Sequence, residues 1–275
     1  MAELLRDVLR HTAAGVDRVA AREPGITVLI YHRVGGGSTS QVDLDPGLFA
    51  DQMAAIAHRV VTLDDALELL VGPPPAAMGG APDKDPVVVT FDDGTPDVVE
   101  TALPILVDHG VPALLYLATD FVESQRPFWQ ADDPTLSWGA LADAVDTGVL
   151  SVGSHTHTHA LLDRLAPDAI ADELDRSIDL IGERLGLAAR HFAYPKALPP
   201  SPAADAAVRA RFASAALAGT RSNPYGRTDP HRLWRSPVQQ RDGLQWFAHK
   251  ADGGLGLEDR IRDLVNRRRY AGATT

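Results

Sequence analysis

The stretch Pro86-Val87-Val88-Val89-Thr90-Phe91-Asp92-Asp93-Gly94 decides the fold. Five consecutive apolar or β-branched residues follow a proline and run into two adjacent carboxylates and a glycine. A run with no polar alternation is buried on both faces, as the strands of a parallel sheet are. Successive side chains alternate across a strand, so Asp92 and Asp93 cannot both point one way while the backbone stays extended. The two carboxylates are therefore expected to do different things. Gly94 supplies the sharp turn that brings both toward one pocket.

The same pattern recurs on either side. Ile26–Tyr31, Ala113–Leu117, Val149–Val152, His191–Tyr194, Ser214–Leu217 and Arg232–Arg235 read as strands, and Val60–Leu63 as a short one. Between them lie helical patterns: Asp45 to about His58 with Phe49, Met53 and Ile56 on one face, Asp64–Leu70 capped by Thr62, and Asp97–His109 ended by Gly110. A short helix is expected within Leu136–Asp146, and another over Ala203–Arg211. The strongest is Pro167–Leu187, with Ile170, Leu174, Ile178, Ile181 and Leu185 as its apolar stripe. Gly72 to Pro86 and Phe121 to Ser137 read as loops. Alternating strands and helices imply βα units and a parallel α/β architecture. Chemistry-bearing residues sit just after strands: His32, Asp92-Asp93, His155, Tyr194 and Arg235. A closed barrel gathers such positions on one rim, whereas the alternative, an open doubly wound sheet, does not.

The chain has 275 residues, a length that one α/β barrel can fill. Residues 1–24 are expected to form an amphipathic helix, with Leu4, Leu5, Val8 and Leu9 at helical spacing, and residues 25–275 a single catalytic barrel domain ending in a helix over Leu257–Arg268. The formal net charge of -11 disfavours nucleic acid as a partner. No apolar run approaches the roughly 18–20 residues that span a bilayer. Met1 to Ala21 is interrupted by charges and does not read as a secretory signal, so a cytoplasmic location is expected. There is no cysteine, which leaves histidine and carboxylate as the only metal ligands.

Those ligands are supplied by Asp92-Asp93 and by a second stretch, His155-Thr156-His157-Thr158-His159. His155 and His159 lie four apart after Gly153-Ser154, where a strand end can fold back and bring them together. Two imidazoles and one carboxylate form a facial triad suited to a catalytic divalent metal, Zn2+ first, with Co2+, Ni2+ or Fe2+ as alternatives. The second carboxylate is then left over as a general base. Thr156 and Thr158 are placed to support the ligands by hydrogen bonds. His157 is expected to be a bystander.

Thr90–Gly94 and Gly153–His159 resemble the first two motifs of the polysaccharide deacetylase family (NodB homology, carbohydrate esterase family 4). Phe192-Ala193-Tyr194-Pro195 is similar to the third motif and Arg235-Ser236-Pro237-Val238 to the fourth. The resemblance implies a distorted (β/α)7-type barrel and metal-dependent removal of an acetyl group from an N-acetylated sugar or glycoconjugate. By position, it implies Asp92 as general base, Asp93, His155 and His159 as metal ligands, and the Tyr194 amide as an oxyanion donor. It further implies Arg235, or alternatively Arg190, as the partner of Asp92. The family's C-terminal Leu-x-His segment has no match, since His249 sits in Trp-Phe-Ala-His-Lys. Leu29-Ile30-Tyr31-His32-Arg33-Val34 resembles instead the opening strand of the subgroup of poly-N-acetylglucosamine deacetylases, which implies His32 as general acid. Thr95 and Lys196 stand where the family often has aromatic residues, which bears on the substrate. With a sugar substrate implied, Trp129, Trp138 and Trp234 are candidates to stack on its ring, with burial in the barrel wall as the competing use of each. Two other readings compete: an amidohydrolase for a small cyclic imide or ureide, and a non-catalytic carbohydrate-binding protein.

Overall fold

Seven parallel strands follow one another around a ring in chain order. They are β1 (Gly25–Tyr31), β2 (Val87–Phe91), β3 (Ala113–Leu117), β4 (Leu150–Ser154), β5 (His191–Ala193), β6 (Ser214–Ala218) and β7 (Leu233–Pro237). A computed structural model describes residues 23–72 and 84–255 of the chain. Each strand pairs with the next, and β7 returns to β1 through Val28–Arg235, Leu29–Ser236 and Ile30–Pro237, so the sheet is a closed barrel. Near the start of β1, a short strand at Asn223–Pro224 runs antiparallel to Gly25 and Ile26.

The alternation of side chains explains the two apolar clusters. Leu29, Tyr31, Val87, Val89, Phe91, Leu115 and Leu117 face outward to the helices. Ile26, Val28, Val88, Leu114, Tyr116, Ala193 and Ala216 form the second cluster, inside the barrel, which Leu63, Ala66 and Leu70 close at the N-terminal ends of the strands. The small residues at 193 and 216 leave room inside for two large groups, Tyr116 and Arg235, both fully buried.

The helix Pro167–Leu185 buries Ile170, Leu174 and Ile181 from the expected stripe. Each such side chain contributes roughly 1.5–3 kcal/mol of apolar burial. Gly186, in the left-handed conformation, ends it. Thr62 caps the helix Leu63–Val71 through the Asp65 amide. That cap accounts for one departure from the sequence reading. Val60 makes only an isolated bridge to Val87, because the following residues enter the helix instead of a strand. A second departure is the helix expected from Asp97. It begins as a π-helical turn, Val98–Ala102, and becomes α-helical at Leu103–His109, since Pro104 has no amide to donate back to the preceding turn. A helix at Thr119–Glu123 occupies the start of the expected loop. Another, Gly243–Ala251, was not foreseen and packs Trp246, Phe247 and Ala251 inward.

Residues 1–22 of the amphipathic helix expected over 1–24, the helix expected over Leu257–Arg268 and most of the loop from Gly72 to Pro86 lie outside the described residues, and Glu23 and Pro24 are not helical. Among the described residues, no helix is long and apolar enough to cross a membrane.

Candidate active site

The C-terminal ends of the strands open into a cavity of about 400 Å³. His32, Asp92, Asp93, His155, His159, Phe128, Trp129 and Lys196 line it. At the end of β2 the Asp92 amide still donates to Tyr31 O of β1 at 3.0 Å, so Asp92 keeps the strand's direction. Its carboxylate lies against the barrel interior, where Arg235 donates to both oxygens, at 2.6 and 2.9 Å. Thr90 accepts a third bond from the same guanidinium at 3.1 Å, and the ring of Tyr116 lies 4.8 Å beneath it. Burial alone would push the Asp92 carboxyl up. The Arg235 charge and hydrogen bonds overcome that and hold it at about 2.

The chain turns at Asp93 itself, which adopts φ +76°, and Gly94 continues the turn at φ +97°. The glycine is required twice over, because a Cβ there would also meet Leu117 Cδ1 at 2.3 Å. This turn releases Asp93 from strand alternation and aims it at the histidines. One carboxylate oxygen lies 3.7 Å from His155 Nε2 and 3.6 Å from His159 Nε2. The histidine segment folds back through left-handed residues at Thr156 and His159. Five of the seven non-glycine residues with positive φ among those described are Asp93, Thr156, His159, Lys196 and Ala197. Strain of this kind is retained where the surrounding structure imposes it for function.

These three side chains fit a divalent cation. Their ligand atoms lie within 4.8 Å of one another. The separations from Asp93 exceed hydrogen-bond length, so no proton bridges the carboxylate to either ring. His155 Nδ1 lies 2.8 Å from Ala193 O and must donate its proton there, which leaves the Nε2 lone pair facing Asp93. Burial pushes His155 down to about 4 and His159 to about 2, so both rings are neutral at physiological pH. Burial and the neighbouring Asp92 charge push Asp93 up to about 8, which a cation between the ligands would reverse.

His32 is half-buried and lines the cavity, with its ring edge toward Trp129 at 6.2 Å. Its Nδ1 is buried without a hydrogen-bond partner. Burial pushes its pKa below the ordinary histidine value, while the Asp92 charge pulls the other way.

The structure does not bring every candidate into the site. The Tyr194 amide donates to Ala216 O at 3.1 Å, as part of the β5–β6 ladder, so it has no hydrogen left for an oxyanion. The Tyr194 ring packs edge-on against Phe192 and does not line the cavity. Arg190 pairs with Asp64 at the opposite end of the barrel. His249 stacks on Trp246 in the last described helix. His157 turns away from Asp93, His155 and His159 to Thr119 Oγ1 at 2.9 Å. Trp129 reaches the cavity, but Trp138 donates to Glu123, and Trp234 carries the Arg221 guanidinium on its face. Neither threonine hydroxyl supports the ligand rings: Thr158 bonds Glu173, and Thr156 Oγ1 has no partner.

Glu173, on the helix Pro167–Leu185, was missed by the sequence reading. Its carboxylate accepts from the amides of His157 and Thr158 and from the Thr158 hydroxyl, at 3.0, 2.8 and 2.7 Å, and so clamps the histidine segment. A glutamate on the polar face of an amphipathic helix carries no signal of that role. The Ala193 carbonyl, a backbone group, is equally invisible in sequence.

Residues 79–214 match the family model described as polysaccharide deacetylase. The chain carries a polysaccharide deacetylase domain. Among solved structures, IcaB from Ammonifex degensii is similar at 26% identity and a TM-score of 0.68, over 84% of this chain and 98% of that one. The Streptococcus pyogenes deacetylase PplD, solved with acetate, has 18% identity and a TM-score of 0.68, over 83% of this chain and 99% of that one. A de-N-acetylase from Aggregatibacter actinomycetemcomitans has 16% identity and a TM-score of 0.65, over 82% and 99%. No match was found among curated proteins. The last two likenesses speak to the barrel. The family match on residues 79–214 takes in Asp92, Asp93, His155 and His159.

Proposed function

We infer that this deacetylase domain is a metal-dependent hydrolase that removes the acetyl group from an N-acetylated amino sugar or glycoconjugate. The observation that carries the reading is the cluster of buried Asp93 and His155 with half-buried His159, beside an aspartate, Asp92, that is locked to Arg235. A divalent cation, zinc first, would supply Lewis acidity and lower the pKa of water at that triad. The chain's own residues divide the remaining work. Asp92 stays ionised at every physiological pH and is fixed in two directions by the guanidinium, so it is the proton acceptor for the attacking water. Its basicity is kept low by that same pair, and positioning has to make up the difference. His32 must be charged before it can protonate the leaving amine, and the Asp92 carboxylate is the group that favours its imidazolium. Phe128 and Trp129 offer aromatic surface to the sugar.

The test is a set of three variants read by two assays. Asp92→Asn is expected to keep zinc or cobalt binding by calorimetry and to lose acetate release from N-acetylglucosamine oligomers. Asp93→Ala and His155→Ala are expected to lose both. Full turnover by Asp92→Asn, or unchanged metal affinity in Asp93→Ala, overturns the reading.

A further inference from the structure

Lys196 lines the cavity together with the candidate metal ligands, Asp92 and His32. It is the cation there with no use so far. Arg235 is neutralised by Asp92, Arg33 by Asp97 and Asp133, and Lys250 by Asp242. The Lys196 ammonium forms no ion pair among the described residues, and the side chain is exposed at the cavity. Its placement is imposed by the backbone. Lys196 and Ala197 adopt φ +56° and +53° in succession, and the Ala197 amide closes the turn on Tyr194 O at 2.8 Å. A non-glycine residue in this conformation costs on the order of 1 kcal/mol or more, and two in a row cost more than an ordinary loop would. The strained pair sits on the cavity wall, where it sets the direction of the lysine.

The charges around the cavity then do not cancel. Asp92 and Arg235 form a neutral pair, and imidazoles that hold a metal do so in the neutral form. A divalent cation on Asp93 would leave a positive site, and Lys196 adds a further charge to it. In a chain of net charge -11 this is a local reversal of sign. A neutral acetamido sugar has no group to meet it.

We propose that the substrate of this site is an acidic N-acetylated amino sugar, one that carries a phosphate or carboxylate near its acetamido group, and that Lys196 selects it. The proposal rests on the deacetylase reading. A lysine is a point charge with rotatable donors and takes either anion, so the two are separate arms of the test.

The experiment uses the metal-reconstituted full chain in buffer free of phosphate. N-acetylglucosamine 6-phosphate, N-acetylmuramic acid and neutral N-acetylglucosamine are compared for acetate release and, independently, for binding by calorimetry. Wild type is expected to favour at least one anionic sugar over the neutral one by about tenfold or more, the size of a single charge-assisted hydrogen bond. In Lys196→Met that ratio is expected to collapse to within about twofold, and Lys196→Arg is expected to restore most of it. A preference for the phosphate alone, or the carboxylate alone, assigns the anion. Absence of any preference in wild type, or its persistence in Lys196→Met, overturns the proposal. If no sugar releases acetate, the deacetylase reading fails by itself, and the binding ratios still decide the role of Lys196.

Discussion

Replacing Arg235 by methionine removes the guanidinium that neutralises the buried Asp92. The lost contacts are the two bonds to the carboxylate, at 2.6 and 2.9 Å, the bond to Thr90 Oγ1 at 3.1 Å, and the packing over Tyr116. Thr90 suffers little, since its hydroxyl still donates to Leu29 O at 2.6 Å. Asp92 suffers most, because it becomes a buried charge without compensation. Breaking such a pair from one side costs about 3–5 kcal/mol, a large part of the roughly 5–15 kcal/mol that holds a domain together. The pH dependence gives the loss a signature. In wild type the folded Asp92 sits at about 2, below its ordinary value of 3.8, so its contribution is present above 3.8 and fades as pH falls through 2. In Arg235→Met, burial is opposed only by the nearby His155 and His32 rings and lifts the folded value above the unfolded one. The folded variant then holds a proton that the unfolded chain gives up, and its deficit is greatest near neutrality and shrinks toward acid. Guanidinium unfolding of both proteins in EDTA, at about pH 7 and about pH 4.5, measures the gap. The double variant Arg235→Met/Asp92→Leu is expected to recover most of it. A gap below about 1 kcal/mol at neutral pH, or one that does not change with pH, refutes the account.

Three further outcomes follow from local geometry. Gly94→Ala puts a methyl group 2.3 Å from Leu117 Cδ1 at a φ of +97°, and is expected to cost about 1–3 kcal/mol in chemical denaturation, with Leu117→Ala relieving only the steric part. Glu173→Ala frees the Thr158 amide and hydroxyl and leaves the His157 amide only the backbone carbonyl of residue 173 at 3.2 Å, and zinc affinity by calorimetry is expected to fall about tenfold without loss of a ligand. His191 is buried with a pKa below 6.5, so the unfolded chain takes up protons first and its contribution, complete above 6.5, is lost as pH falls below that value. His155 and His159 add to the same slope. The stability of His191→Gln measured against wild type across that range should therefore show a shallower loss, and an identical slope in the two proteins would count against the burial argument.

Much of the fold was legible because its signal is local. The uninterrupted run Val87–Phe91 and its counterparts can only be strands buried on both faces, and seven of them in alternation with helices close a barrel. The Asp92-Asp93-Gly94 turn was legible for the same reason, although the turn begins one residue earlier than the glycine suggests, at Asp93. What escaped the sequence is whatever depends on a partner distant along the chain. Tyr194 looked available as an amide donor until β6 claimed it through Ala216 O. Arg190 stood as the alternative to Arg235 beside Asp92 until the barrel placed one at each end. Glu173 is a surface-type residue by composition and a clamp by position. The helix Gly243–Ala251 is short, and its apolar residues show their period only against the barrel that they cover.

The pairing of β7 with β1 has a consequence for how the molecule comes into being. Arg235 lies 143 residues after Asp92, and the seam between the first and last barrel strands forms last in the order of synthesis. Until the ribosome has released residues beyond Pro237, the nascent barrel is an open sheet with an uncovered edge on β1 and a carboxylate that has no counter-charge. Contacts between such distant segments slow folding, and an uncovered edge is a place for misassembly. The assembly of the Asp92–Arg235 pair and the completion of the fold are thus one event, and premature termination upstream of β7 should leave a chain that has neither.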